Sequence, residues 1–322
     1  MRAPMKTRSC QFVLAASLAI GGVSPAASQS TASQNTASKP AAPCTSTVVG
    51  ALQTRTLTST TFGDPQTLRI WLPPGYNDPA NAQKRYPVLY MFDGENLFDA
   101  CTSSLHREWR IDESLTRLIA ANLIEPLIVV GIDSPGKRRA DEYIPYADPF
   151  FSAPEPHGRL LPEFLATEVL PLINRELHTI PDPDHTAIGG SSYGSIAALY
   201  ALLHRPDLFH LALLESTSLQ VGNGQLLRDT LSLVVGPRRV SVGVGTNELG
   251  NFQQFARDRA IEPDAFNAGF VQLSEQLVTN LKAAMNHPTV VFIKQPGAMH
   301  DENAWAERFP DAIKFLFPKT SK

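Results

Sequence analysis

The chain has 322 residues, 43% of them hydrophobic and 18% charged, and a formal net charge of −3. That length suits one well-cored domain, and the slightly acidic balance argues against nucleic acid as a partner, because phosphate binding needs a clustered basic face. No stretch approaches the roughly 18 uninterrupted apolar residues of a membrane span, so stable membrane insertion is not expected.

Residues 1–28 have the layout of a secretory signal: Arg2, Lys6 and Arg8, then the apolar "FVLAASLAIGGV", then small residues at "SPAAS". Cleavage is expected after Ala26 or Ser28, an uncleaved anchor being the alternative. Residues 29–43 hold no bulky apolar side chain and read as a flexible leader. Residues 44–322 are left for a single catalytic domain, exported to the periplasm or secreted. Cys10 leaves with the signal, so Cys44 and Cys101 remain as a pair in an oxidising compartment. Their pairing is permitted there and would tie the start of the domain to the loop after the first core strand. No Cys/His spacing resembles a zinc site, and neither a metal nor an organic cofactor is implied.

Two alternating segments, "STVVGALQTRTL" and "QTLRIWLPPGY", read as strands, the second stopped by Pro73, Pro74 and Gly75. "YPVLYMFDG" is a nearly continuous apolar run, as expected for a strand buried on both faces. "EWRIDESLTRLIAANLI" carries Trp109, Leu115, Leu118 and Ile119 at helical intervals, and the strand "PLIVVGID" follows. Residues 134–158 have no clear period, and a long irregular segment often lines a site. Within it, Lys137-Arg138-Arg139 reads either as a solvated loop or as a contact for an anionic substrate group.

After this segment, helices alternate with strands. Helix "LPEFLATEVLPLINREL" leads to strand "HTAIGG", helix "GSIAALYALLHRP" and strand "LFHLALLES". Strand "RRVSVGVGT", helix "DAFNAGFVQLSEQLVTNLKAAMN", strand "TVVFIKQ" and helix "NAWAERFPDAIKFLF" complete the series. Such alternation predicts an α/β fold, a mostly parallel central sheet with helices on both faces. Ligands in such sheets bind at the carboxyl ends of the strands, so chemistry is expected just after them.

"GGSSYGS" (189–195) lies between a predicted strand and a predicted helix, and only Ser192 has glycine two places away on both sides. This is the setting of a nucleophile elbow, where a side chain at either glycine would crowd the turn. A serine hydroxyl needs a base and a group to orient it. Glu248 follows "RRVSVGVGT" and His300 follows "TVVFIKQ", in the order Ser, acid, His. Asp264 and Asp301 are the alternatives to Glu248; Asp264 lies many residues past its strand and Asp301 adjoins His300 in sequence. One oxyanion donor is expected from the Tyr193 N–H and a second from "MFDGENLFD", where Gly94 would allow close backbone approach to substrate. Asp93, Glu95 and Asp99 lack the spacing of a known calcium loop.

Together, "YPVLYMFDGENLFD", "EWRIDESL", "GGSSYGSIAALYALLHRPDLF", "VGTNELG" and "MHDENAWAERFP" resemble an esterase group of α/β-hydrolases over roughly residues 65–318. The group includes enterochelin-esterase-like proteins, feruloyl and acetyl-xylan esterases, esterase D and the mycolyltransferases. The resemblance implies an α/β-hydrolase fold with Ser192 as nucleophile, His300 as base and Glu248 as acid. It also implies that the N–H of Glu95 is the second oxyanion donor. Where the group often has His-Asn-Glu, this chain has His300-Asp301-Glu302. Siderophore esterases of the group that use a Ser–His dyad leave open how much Glu248 contributes.

The expected activity is therefore that of an exported serine carboxylic ester hydrolase acting on a small-molecule or polysaccharide-linked ester. Rival readings are a siderophore trilactone esterase, an acyltransferase to a sugar or lipid alcohol, and a non-catalytic binding protein on the same scaffold. Arg139, Tyr143, Tyr146, Phe150 and Phe151 are candidates to shape the pocket, the alternative being aromatics packed under a long loop. Trp305 either walls the site or anchors the last helix.

Overall fold

The computed structural model describes residues 44–103, 105–148 and 155–319. The expected signal and leader, and the pocket candidates Phe150 and Phe151, lie outside the described residues. In chain order the strands are β1 (Ala51–Thr58), β2 (Pro65–Leu72), β3 (Val88–Phe92), β4 (Ile128–Ile132), β5 (Thr186–Ser191), β6 (Leu211–Glu215), β7 (Arg239–Gly245) and β8 (Thr289–Gln295). They form one sheet in the order β1-β2-β4-β3-β5-β6-β7-β8. β2 is antiparallel to both β1 and β4, and every pairing from β4 through β8 is parallel. The fold is thus the α/β architecture the alternation predicts.

The helices are α1 (Ile111–Ala120), α2 (Arg139–Tyr143), α3 (Leu161–Phe164), α4 (Leu170–Glu176), α5 (Tyr193–His204), α6 (Gln225–Asp229), α7 (Gln253–Asp258), α8 (Pro263–Lys282) and α9 (Glu302–Leu316). α3 and α4 are one continuous helix by sequence pattern, but a π turn at Leu165–Val169 divides them. Pro171 in the following turn has no N–H to give and a ring that crowds the preceding carbonyl, and a wider turn accommodates both. Residues 134–158 are not wholly irregular, because α2 forms inside them.

Side chains alternate across the central strands, so each strand feeds two cores. Val88, Tyr90 and Phe92 of β3 pack with Ile173, Leu199 and Leu277 on one face. Leu89 and Met91 pack with Leu115 of α1 and Phe309 of α9 on the other. Strands buried on both faces need nearly continuous apolar sequence, which is why β3, β4 and β6 read as unbroken runs rather than alternating ones.

Cys44 and Cys101 form a disulfide, as the sequence permits, across 57 residues. Polar contacts reinforce this tether: Ser46 Oγ donates to Asp99 at 2.7 Å and the Val49 N–H donates to Asp112 at 2.6 Å. Among the described residues no helix is long and apolar enough to cross a membrane.

Candidate active site

β5 ends at Ser191 and α5 begins at Tyr193, so Ser192 alone makes the turn, at φ +56° and ψ −121°. An L-residue there is strained, at a cost of roughly 1–3 kcal/mol, and persists only if its surroundings hold it. The Ser192 N–H is held by the Glu215 carbonyl at 3.0 Å, and its own carbonyl accepts from the Ile196 N–H at 3.2 Å. Both flanking glycines are sterically required. A Cβ on Gly190 would stand 2.7 Å from the Gly194 carbonyl carbon, and one on Gly194 would stand 2.6 Å from Asp93 Oδ2. Of the neighbouring serines, Ser191 is buried, and Ser195 is buried with its hydroxyl 2.6 Å from Thr217 Oγ1. Ser192 is the serine of this turn that solvent reaches.

Beyond β7 and β8, His300 Nδ1 lies 2.6 Å from Glu248 Oε2. The other oxygen, Glu248 Oε1, accepts from Ser216 Oγ at 2.8 Å and from the Gly245 N–H at 2.6 Å. Burial pushes the Glu248 carboxyl up, but the His300 contact and the Gly245 and Ser216 donors outweigh it and hold the group below its ordinary range. A carboxylate facing Nδ1 fixes the proton there and leaves Nε2 as the acceptor. Trp305 packs edge-on against the His300 ring at 5.2 Å, with Phe252 and Phe270 each at 5.8 Å.

The alternatives to Glu248 are otherwise engaged. Asp301 caps α9 through the Ala304 N–H at 3.1 Å and takes contacts from Arg107 and Asn251. Asp264 is an exposed residue in the first turn of α8. Ser192 Oγ lies 3.4 Å from Ser218 Oγ, and among the described residues no hydrogen bond joins it to His300. Such contacts are often long before substrate arrives.

The loop after β3 abuts the elbow at Asp93, whose φ is +60°. Arg139 grips Asp93 with two contacts, Nε at 2.6 Å and Nη2 at 2.7 Å, and lies over the rings of Tyr143 and Tyr193. Its guanidinium thus braces this loop. Arg138 pairs elsewhere, with Asp64 and Glu142. Gly94 is demanded by packing, since a Cβ there would sit 2.7 Å from the Gly131 carbonyl carbon. Glu95 accepts from the Ser134 N–H at 2.8 Å and from Ser134 Oγ at 2.5 Å. Burial and the nearby Asp93 charge push its carboxyl up, against the Ser134 donors. With Asp99 held by Ser46 and Thr47, the three acids Asp93, Glu95 and Asp99 each have separate protein partners. Tyr193 opens α5, where the first N–H groups have no partner within the helix.

Tyr146 donates to Asp229 and stacks edge-on with Tyr200 at 6.0 Å, which ties it to α5 and α6. Trp305 packs against the His300 ring while its indole N–H donates to Ser216 Oγ at 3.0 Å.

Sequence reasoning missed the support beneath the site. Arg308 and Glu215, both buried, form an ion pair, with Nε at 2.8 Å and Nη2 at 2.7 Å from Glu215 Oε2. Burial pushes the Glu215 carboxyl up and Arg308 opposes it. Ser216 follows with φ +44°, in the left-handed region. The available signals were a glutamate closing the buried run "LALLES" and an arginine on the apolar face of the last helix.

Comparisons with known proteins bear on the family and the fold. The sequence profile of the family described as "Putative esterase" matches residues 59–316. The chain is 22% identical over 259 residues to "Uncharacterized protein YbbA" of Bacillus subtilis, covering 78% of this chain and 92% of that one. It is 26% identical over 189 residues to the "Siderophore enterobactin esterase" of Emericella nidulans, covering 55% of this chain and 61% of that one. Among solved structures, an "IroE-like serine hydrolase" of Shewanella oneidensis superposes with a TM-score of 0.65 at 21% identity, covering 83% of this chain and 80% of that one. The chain belongs to this esterase family and has the α/β-hydrolase fold of a carboxylic ester hydrolase.

Proposed function

We propose that the chain is an exported serine esterase in which Ser192, His300 and Glu248 act as a triad through an acyl-enzyme. The observation that carries this reading is the 2.6 Å contact of His300 Nδ1 with Glu248, made beyond the carboxyl ends of the same parallel strands as the strained Ser192 turn. Ser192 Oγ attacks the ester carbonyl and its proton passes to His300 Nε2. Glu248 holds the imidazole in the required tautomer and stabilises the imidazolium. The N–H groups of Tyr193 and Glu95 stabilise the oxyanion, each such donor contributing on the order of 3 kcal/mol. His300 then protonates the leaving alcohol, and water, activated by the same imidazole, releases the acid.

Residues 1–28 supply the export signal in this reading, and the Cys44–Cys101 disulfide supports an oxidising destination. The likeness to a siderophore enterobactin esterase favours a second reading for the substrate, a catecholate trilactone. Hydrolysis of a panel of acetylated sugars, feruloyl esters, catecholate lactones and short aryl esters, with Ser192→Ala as control, decides between them. Preference for the lactone selects the second reading. Transfer to added alcohols in place of hydrolysis would mark an acyltransferase. Wild-type rates in Ser192→Ala would overturn the serine mechanism.

A further inference from the structure

Resting on the triad reading, we propose that Ser216 is a positioning residue that acts through Glu248. Its hydroxyl lies among three polar neighbours: Trp305 Nε1 at 3.0 Å, Arg308 Nη2 at 3.4 Å and Glu248 Oε1 at 2.8 Å. An indole N–H and a guanidinium can only donate, so the hydroxyl proton has one destination, Glu248 Oε1. That bond and the Gly245 N–H occupy Oε1 and leave Oε2 facing His300 Nδ1. The carboxylate is thereby fixed in the rotamer that sets the histidine tautomer.

The position of Ser216 ties the parts of the site together. Ser192 donates its N–H to the carbonyl of Glu215, the residue immediately before, at 3.0 Å. The Ser216 N–H donates to Gly243 of β7 at 2.8 Å, close to the start of the Glu248 loop. Trp305 and Arg308 both stand on α9, whose N-cap, Asp301, directly follows His300. One hydroxyl thus links the acid to the helix that carries the base, from a residue whose backbone also neighbours the nucleophile. Serine adopts φ +44° at a cost that glycine would avoid.

The test compares Ser216→Gly with wild type in two backgrounds, native and Glu248→Ala, on a short aryl ester with active sites counted by the acyl burst. Glycine suits the left-handed backbone, so the variant keeps the fold, which a thermal melt checks. The expected result is a kcat lower by roughly tenfold to a hundredfold in the native background, with KM unchanged. In Glu248→Ala the same substitution should cost nothing further, because its only route of action is gone. Native kcat in Ser216→Gly, or the same loss in both backgrounds, would overturn the proposal. Full activity in Glu248→Ala alone would instead overturn the triad reading, and the proposal with it.

Discussion

Glu248 and His300, 52 residues apart in sequence, meet at 2.6 Å with the carboxylate fully enclosed and held from behind by Ser216 and Gly245. An acid this firmly oriented can do more than neutralise charge, because it selects which ring nitrogen carries the proton. Glu248→Gln is therefore expected to preserve the fold yet lower kcat on the order of 10³–10⁴-fold by favouring the wrong tautomer. Steady-state kinetics on an aryl ester check this, and a loss below about threefold would mean the histidine is oriented by other means.

Gly194 has room for nothing larger than hydrogen. A methyl there would press on Asp93 Oδ2 at 2.6 Å and Phe92 Cβ at 3.1 Å. Gly194→Ala should separate the β3 loop from the elbow and misplace the expected oxyanion donors on both. We expect a stability loss of about 1–3 kcal/mol by urea denaturation and a fall in kcat of about a hundredfold. Unchanged kcat would place the oxyanion site elsewhere.

Arg308 is the cation that partners buried Glu215. Arg308→Met leaves that carboxylate uncompensated and should destabilise the fold by about 3–5 kcal/mol. Replacing both partners, Arg308→Met with Glu215→Leu, should recover much of this loss, although Gly243 crowds the site. Equal stability of the single variant and wild type in urea would contradict the assignment.

Asp112 is buried, and its Oδ1 has no hydrogen-bond partner among the described residues. Burial, with neighbouring Glu113 adding to it against the Val49 N–H, pushes its carboxyl up to about 8. Between the ordinary aspartate range and pH 8, the folded chain holds a proton there that the unfolded chain has lost. The contribution of this group to stability therefore falls as pH rises through that window. The melting temperature of wild type should drop from pH 5 to pH 8, and Asp112→Asn should flatten that drop. Parallel curves for the two proteins would refute the assignment.

What could be read from the sequence was what lies close along the chain. Continuous apolar runs identified β3 and β4, the alternation with helices identified β5 to β8, and Ser192, Glu248 and His300 follow β5, β7 and β8 in the structure as in the sequence reading. Helices α2, α6 and α7 were missed because five or six residues are too few to show a helical period. The roles of Arg138 and Arg139 could not be told apart in a run of three basic residues. Their partners, Asp64 and Asp93, are brought close only by the folded sheet. The Arg308–Glu215 pair, 93 residues apart, and the left-handed backbone of Ser216 are likewise products of tertiary packing.

In the proposed mechanism the acyl group passes through Ser192. Rapid quenching of the enzyme during turnover of a slow aryl ester, followed by mass analysis of its peptides, tests this directly. The acyl increment is expected on the peptide holding Ser192, with neither adduct nor hydrolysis in Ser192→Ala. Turnover with no adduct at Ser192, sustained in the alanine variant, would contradict it.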